Sequence, residues 1–273
     1  MAFGVEPPEH VTPWFKPVYE ATFQFGGVAW TLCYILIARE GMRTKSYGMP
    51  LFALANNFAW EMVYALWVVD NAFEKTAMTI WMLIDTPIIY SILKHGVLEW
   101  QHAPMVSRNL KSILVGLIAL CAAAHWSWQS WWIGNEMGKR DDLEGADLTQ
   151  MAYWAVSMCQ FLVSTMSLAM LCVRGHSGGV SWMIWLSRFL GTLIGLNMNY
   201  AWAYYTWPEA HEYFMSAPAV FVWGVTTVCD IIYGFVLYHV KSNERELSDG
   251  RKVAAEADDE QVGGWSKMKT GKN

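Results

Sequence analysis

Charge is scarce in this chain. Asp, Glu, Lys and Arg together make up 16% of its 273 residues, against about 25% in an ordinary soluble domain. The shortage is concentrated in long stretches, which excludes a water-soluble fold with a charged shell. Other signatures are missing too. No C-x-x-C spacing occurs, and Cys33, Cys121, Cys159, Cys172 and Cys229 all fall within apolar runs. They read as small buried apolar residues, not as disulfides or metal ligands. No His/Cys/Asp/Glu cluster has a metal-ligand spacing, so neither a metal nor another cofactor is expected. Residues 1–18 carry Glu6, Pro7, Pro8 and Glu9 without a basic n-region or apolar core, so they are not a signal peptide. The net charge of −5 sits in loops and tail and gives no sign of a nucleic-acid partner.

Apolar residues are abundant: 54% of the chain is hydrophobic, with 17 Trp and 16 Met. Runs of about 20 residues with few charges read as membrane helices, because every backbone polar group must be satisfied within the segment. Seven are predicted, over 20–38, 49–69, 76–93, 111–133, 150–173, 182–204 and 217–239. The expected fold class is all-α, a seven-transmembrane helix bundle over residues 19–240. A polar segment, 1–18, precedes it. The tail, 241–273, is polar and charged and is expected to be disordered. Fourteen Lys and Arg fall in the tail and after spans 1, 3 and 5; only Lys16, Lys75, Lys139 and Arg140 fall on the other side, while Arg188 lies inside span 6. That bias orients the N-terminus outside or lumenal and the C-terminus in the cytosol.

Three acids lie inside spans: Glu61, Asp85 and Asp230. An ionisable side chain is costly there and marks function. Glu61 lies roughly 18 Å into span 2 and Asp230 roughly 20 Å into span 7 at 1.5 Å per residue, so both reach the midplane of a core about 30 Å thick. Helical spacing places Asn57, Glu61 and Tyr64 on one face, with Trp60 beside them, and Trp223, Thr226, Asp230 and Tyr233 on another. Span 6 adds Asn197 and Asn199, with Trp202 beyond. The expectation is an interior cavity in which Glu61 and Asp230 are catalytic and titrate as a coupled pair. Its lining is expected to be Asn57, Trp60, Tyr64, Asp85, Asn197, Asn199, Trp202, Trp223 and Tyr233. For Asp85 a local role competes, since Pro87 frees a backbone carbonyl nearby.

Other features read as structural. Trp131 and Trp132 fit interfacial anchors, His125 a satisfied core histidine, and Asp141-Asp142-Leu143-Glu144 a solvated acidic loop. Asn57-Phe-Ala-Trp60 is echoed by Asn199-Tyr-Ala-Trp202, which suggests related halves around span 4. A retinal protein is excluded, because span 7 has no Lys before Lys241. A G-protein-coupled receptor is disfavoured by the absence of Asp-Arg-Tyr after span 3 and Asn-Pro-x-x-Tyr in span 7. Membrane prenyltransferases need two aspartate-rich clusters, which are missing. The remaining alternative is a proton-coupled small-solute transporter of 3+1+3 type.

The chain resembles the fungal integral-membrane terpene cyclases of meroterpenoid and indole-diterpene biosynthesis over about residues 18–240. The resemblance is carried by Tyr47-Gly-Met, Asn57-Phe-Ala-Trp-Glu61-Met-Val-Tyr64 and Glu99-Trp-Gln-His-Ala-Pro104. It continues through Arg174-Gly, Trp185-Leu-Ser-Arg188-Phe, Trp207-Pro-Glu-Ala210, Ala217-Pro218 and Asp230-Ile-Ile-Tyr-Gly234. It implies that Glu61 and Asp230 are the essential acids and matches no position to Asp85. It also implies metal-independent cyclisation of an epoxidised prenyl chain carried by an aromatic or indole head group, in the endoplasmic reticulum membrane. An epoxidase and a prenyltransferase would act upstream. Opening an epoxide needs an un-ionised acid, and apolar surroundings with a second carboxyl nearby favour that form. Trp and Tyr faces stabilise the resulting cation by roughly 0.5–2 kcal/mol each.

Overall fold

The computed structural model describes residues 7–69 and 72–256, apart from the Phe73 side chain. Five helices are long and apolar enough to cross a membrane: α1 (Phe15–Arg43), α3 (Ala72–Glu99, apolar from Glu74), α4 (Pro104–Gly134), α5 (Leu148–Arg174) and α9 (Ala217–Ser242). Their ends follow local chemistry. Pro104 opens α4 at a position that needs no N–H. The Asp147 carboxylate caps α5 by accepting from Gln150 N at 2.9 Å. Gly175, at φ 64°, closes α5 in the left-handed conformation.

Two further rods are interrupted. Helix α2 (Leu51–Val63) runs on into a π-helical turn, Tyr64–Val68, closed by Val69 N to Tyr64 O at 3.1 Å. Helix α6 (Trp182–Thr192) passes through a second π-helical stretch, Leu193–Met198, into α7 (Asn199–Thr206). π-Helical turns are rare and concentrate at functional sites. A short α8 (Pro208–His211) precedes α9.

Helix α1 packs along α6, α2 along α4, and α5 along α9, with α2 also against α3 and α5. Where α1 meets the π-helical stretch after α6 the chains touch backbone to backbone: a Cβ on Gly195 would lie 2.3 Å from Gly26 Cα. Large apolar side chains point outward, among them Val28, Val173 and Phe235. A soluble monomer does not expose such a surface, and the molecule is an integral membrane protein.

Several expectations are corrected. The tail is ordered through residue 256: β1 (Glu244–Glu246) and β2 (Lys252–Ala254) form an antiparallel hairpin. It docks on the loop after α5, where Glu244 accepts from the Ser177 backbone N at 2.6 Å and Lys252 bonds Glu244 at 2.7 Å. Residues 257–273 lie outside the described residues, as do 1–6. Within the polar N-terminal segment Val11 and Phe15 are buried against Ala203, Trp207 and Ala210. Cys172 is exposed and Cys229 half-buried, because their helix faces turn outward; the other three cysteines are buried. Trp131 is exposed, but Trp132 is buried and donates to Asp147 O at 3.1 Å, so it secures the α4–α5 connection instead of anchoring an interface. His125 is held by Asn56 Oδ1 at 3.2 Å.

Candidate active site

A cavity of about 120 Å³ lies between α1, α2, α3, α5 and α6. Its wall is aromatic and apolar, with Trp30, Trp60 and Trp81 prominent, and its polar groups are few: Tyr34, Asn57, Gln160 and Tyr200. Glycines 26, 27, 191 and 195 open the room on the α1–α6 side. Such a site suits an apolar guest oriented by a few polar contacts.

Behind this wall the buried acids fall into two groups. In the first, Asn57 Nδ2 lies 2.9 Å from Glu61 Oε1, 3.1 Å from Asp85 Oδ2 and 2.9 Å from the Tyr34 hydroxyl. Glu61 and Asp85 are both 0% exposed, and their other oxygens, Glu61 Oε2 and Asp85 Oδ1, have no hydrogen-bond partner among the described residues. Among the described residues no cation bonds to either. Two buried carboxylates without a countercharge would cost several kcal/mol, so the arrangement favours retention of a proton by the pair. In the second group, Asp230 is ion-paired with Arg188 at 2.9 Å and accepts from Ser164 Oγ at 3.0 Å. Arg188 in turn lies over the Tyr233 ring at 4.5 Å. Gln160 Nε2 donates to Ser164 at 2.9 Å, so α5 carries a polar chain from the cavity wall to Asp230.

The expected Glu61–Asp230 pair is therefore replaced by Glu61 with Asp85 and Asp230 with Arg188. Asp85 does not serve its own helix; its carboxyl reaches across to α2. Of the expected lining, Asn57 and Trp60 form the wall, and Tyr64 packs beside Trp60 with ring centroids 5.5 Å apart. The rest are corrected. Asn197 donates to Thr227 and Asn199 to Tyr19 O and Thr22, tying helices together. Trp202 donates to Phe15 O, Trp223 stacks on Phe214, and Tyr233 supports Arg188. The 57–60 and 199–202 echo thus hides different work: Asn57 faces acids, Asn199 a backbone. Sequence reasoning missed Tyr34 and Gln160; each is a polar group within an apolar span, which is the signal that would have found it.

Among the described residues no three His, Cys, Asp or Glu side chains are grouped to hold a metal ion. The acidic run 141–144 is a surface loop in which Asp142 pairs with Arg140 at 3.0 Å; hydrogen bonding to the guanidinium holds the Asp142 carboxyl below its ordinary range.

A family model for Pyr4-like transmembrane terpene cyclases matches residues 2–243. Among curated proteins, the Pyr4-family terpene cyclase mfmH of Annulohypoxylon moriforme is 32% identical over 84% of this chain and 91% of its own. Terpene cyclase dpchB of Colletotrichum higginsianum is 34% identical over 81% and 85%. Terpene cyclase cdmG of Talaromyces verruculosus is 29% identical over 89% and 95%. No solved structure matches. The relatives give no support to the transporter alternative. With the family model covering most of its length and an aromatic cavity backed by buried acids, this chain belongs to the Pyr4-like transmembrane terpene cyclases and is a membrane-embedded terpene cyclase.

Proposed function

We propose that this cyclase protonates the terminal epoxide of a prenylated aromatic or indole substrate and guides the resulting carbocation through ring closure. The observation that carries the reading is Asn57, a wall residue whose amide holds both Glu61 and Asp85 behind the cavity. Glu61 is the acid reservoir, with Asp85 as its partner. Asp230, in its ion pair with Arg188, sets the field at the α5 side of the site. The tryptophans of the wall face the cation and exclude water that would quench it.

Residues 19–240 make up the catalytic bundle, with α2 and the α6–α7 rod completing seven spans. The Lys/Arg bias supports a lumenal N-terminus and a cytosolic tail, in the endoplasmic reticulum membrane, where an epoxidase and a prenyltransferase would deliver substrate within the bilayer.

Membranes from a host expressing the chain, fed epoxyfarnesylated and epoxygeranylgeranylated phenols, test this directly. Cyclised isomers of unchanged mass should form, and excess EDTA should not stop them. Conversion of a prenyl diphosphate, or a magnesium requirement, would overturn the reading.

A further inference from the structure

We propose that the Tyr34 hydroxyl is the group that hands the proton to the epoxide oxygen, drawing it from the Glu61–Asp85 pair. The inference rests on the acid-initiated reading above and supplies the step that reading lacks. Neither carboxyl belongs to the cavity wall, whereas Tyr34 and Asn57 do. An amide N–H is too weak an acid to protonate an epoxide; a phenol O–H is a recognised general acid.

The geometry places that phenol at the junction. Its oxygen lies 2.9 Å from Asn57 Nδ2, the nitrogen that also lies 2.9 Å from Glu61 and 3.1 Å from Asp85, so three oxygens share two amide hydrogens. A phenol oxygen has one hydrogen to give and lone pairs to receive another, and the Glu61 carboxyl is among its direct neighbours. The side chain is 4% exposed, and its ring rests against Trp30 at 5.4 Å between centroids, so the position of the hydroxyl oxygen is fixed. Among the described residues the other wall candidates make no hydrogen bond to Asn57 or to the acid pair. Tyr200 sits among the rings of Tyr19, Tyr153 and Tyr213. The Cys159 thiol accepts from Asn56.

The step balances. The Tyr34 O–H bond breaks as its proton bonds to the epoxide oxygen. The C–O bond at the more substituted carbon breaks, and the adjacent alkene supplies the electron pair that closes the ring. The Tyr34 oxygen takes a proton from the carboxyl pair in the same event, leaving the pair one proton short. When the last carbocation loses a proton, the site regains it, so the overall change is an isomerisation without net proton or electron demand.

The test compares single-turnover cyclisation of an epoxyfarnesylated phenol by full-length protein in detergent. Tyr34→Phe keeps the ring and removes the proton, and should slow the reaction by about 10²–10⁴-fold with KM little changed. Fluorinated tyrosines at position 34 keep both ring and hydroxyl while varying its acidity, and the rate and pH profile should follow that acidity. Glu61→Gln runs in parallel. If Glu61→Gln is inactive while Tyr34→Phe turns over at the parental rate, Tyr34 is not the donor and the acid-initiated reading stands. If Glu61→Gln is itself active, that reading falls and the Tyr34 step with it. Should Tyr34→Phe fail to insert, the fluorinated series decides: a rate indifferent to phenol acidity overturns the proposal.

Discussion

Arg188 Nη2 lies 2.9 Å from Asp230 Oδ1, with the two side chains 4% and 1% exposed. A guanidinium stays charged, so Asp230 has a permanent cation as its partner. This separates the two acids singled out at mid-depth. Among the described residues Glu61 has no cationic partner and suits proton supply; Asp230 has one and suits electrostatic control.

Removing one partner of a buried pair strands the other, at about 3–5 kcal/mol. Asp230→Asn is therefore expected to lower thermal stability in detergent as well as turnover, so lost activity alone would not prove a catalytic role. The double replacement Asp230→Leu with Arg188→Met should recover the unfolding temperature but not the activity. Parental stability in Asp230→Asn would show that the pair does not bear on folding.

Asp85 offers a sharper contrast. The family resemblance gives it no role and Pro87 suggests a local one, yet its carboxyl shares the Asn57 amide with Glu61. Asp85→Asn should depress turnover by about 10²–10⁴-fold, the range expected of Glu61→Gln, with normal insertion into membranes. Near-parental turnover in Asp85→Asn would remove it from the acid pair.

How far the sequence could be read follows from what each residue's signal encodes. Depth along a span is linear in residue number, so Glu61 and Asp230, both buried, could be singled out as acids far from the span ends. Rotation of one helix against another is not, and that angle decides that Asn57 meets Asp85 while Asp230 meets Arg188. A lone Arg inside span 6 already demanded an acidic partner, so the second pairing was recoverable. The π-helical turns after Glu61 and before Asn199 leave no local pattern in an apolar run, and the glycine contact of Gly26 with Gly195 requires knowing which helices touch. The tail hairpin had a turn signal in Asp249-Gly250, with Gly250 at φ 86°, but its charge content masked it.

The contact of α1 with the π-helical stretch Leu193–Met198 predicts a graded response to added methyl groups. On Gly195 a Cβ would lie 2.3 Å from backbone, whereas on Gly27 it would lie 3.6 Å from the Trp81 ring. Gly195→Ala should push the helices apart and cost about 1–3 kcal/mol, the usual range for overpacking. Gly27→Ala should insert and unfold like the parent. Unfolding temperatures in detergent compare the two, and equal effects would contradict the backbone contact.

The docked hairpin predicts a pH response outside the membrane. Burial pushes the Glu244 carboxyl up, but hydrogen bonds from Lys252 and Ser177 outweigh it and hold the group below its ordinary value. A carboxyl lowered in the docked state favours docking above its undocked value, about 4.3, and that contribution fades as pH falls through the lowered one. Hydrogen exchange of residues 244–254, corrected for intrinsic rates, should therefore stay protected from neutral pH down to about that value and rise below it. Glu244→Gln removes the charge that Lys252 meets at 2.7 Å, so its hairpin should exchange faster at neutral pH and lose the acid transition. A hairpin equally protected in both proteins across the range would show that apolar contact, not Glu244, holds the tail.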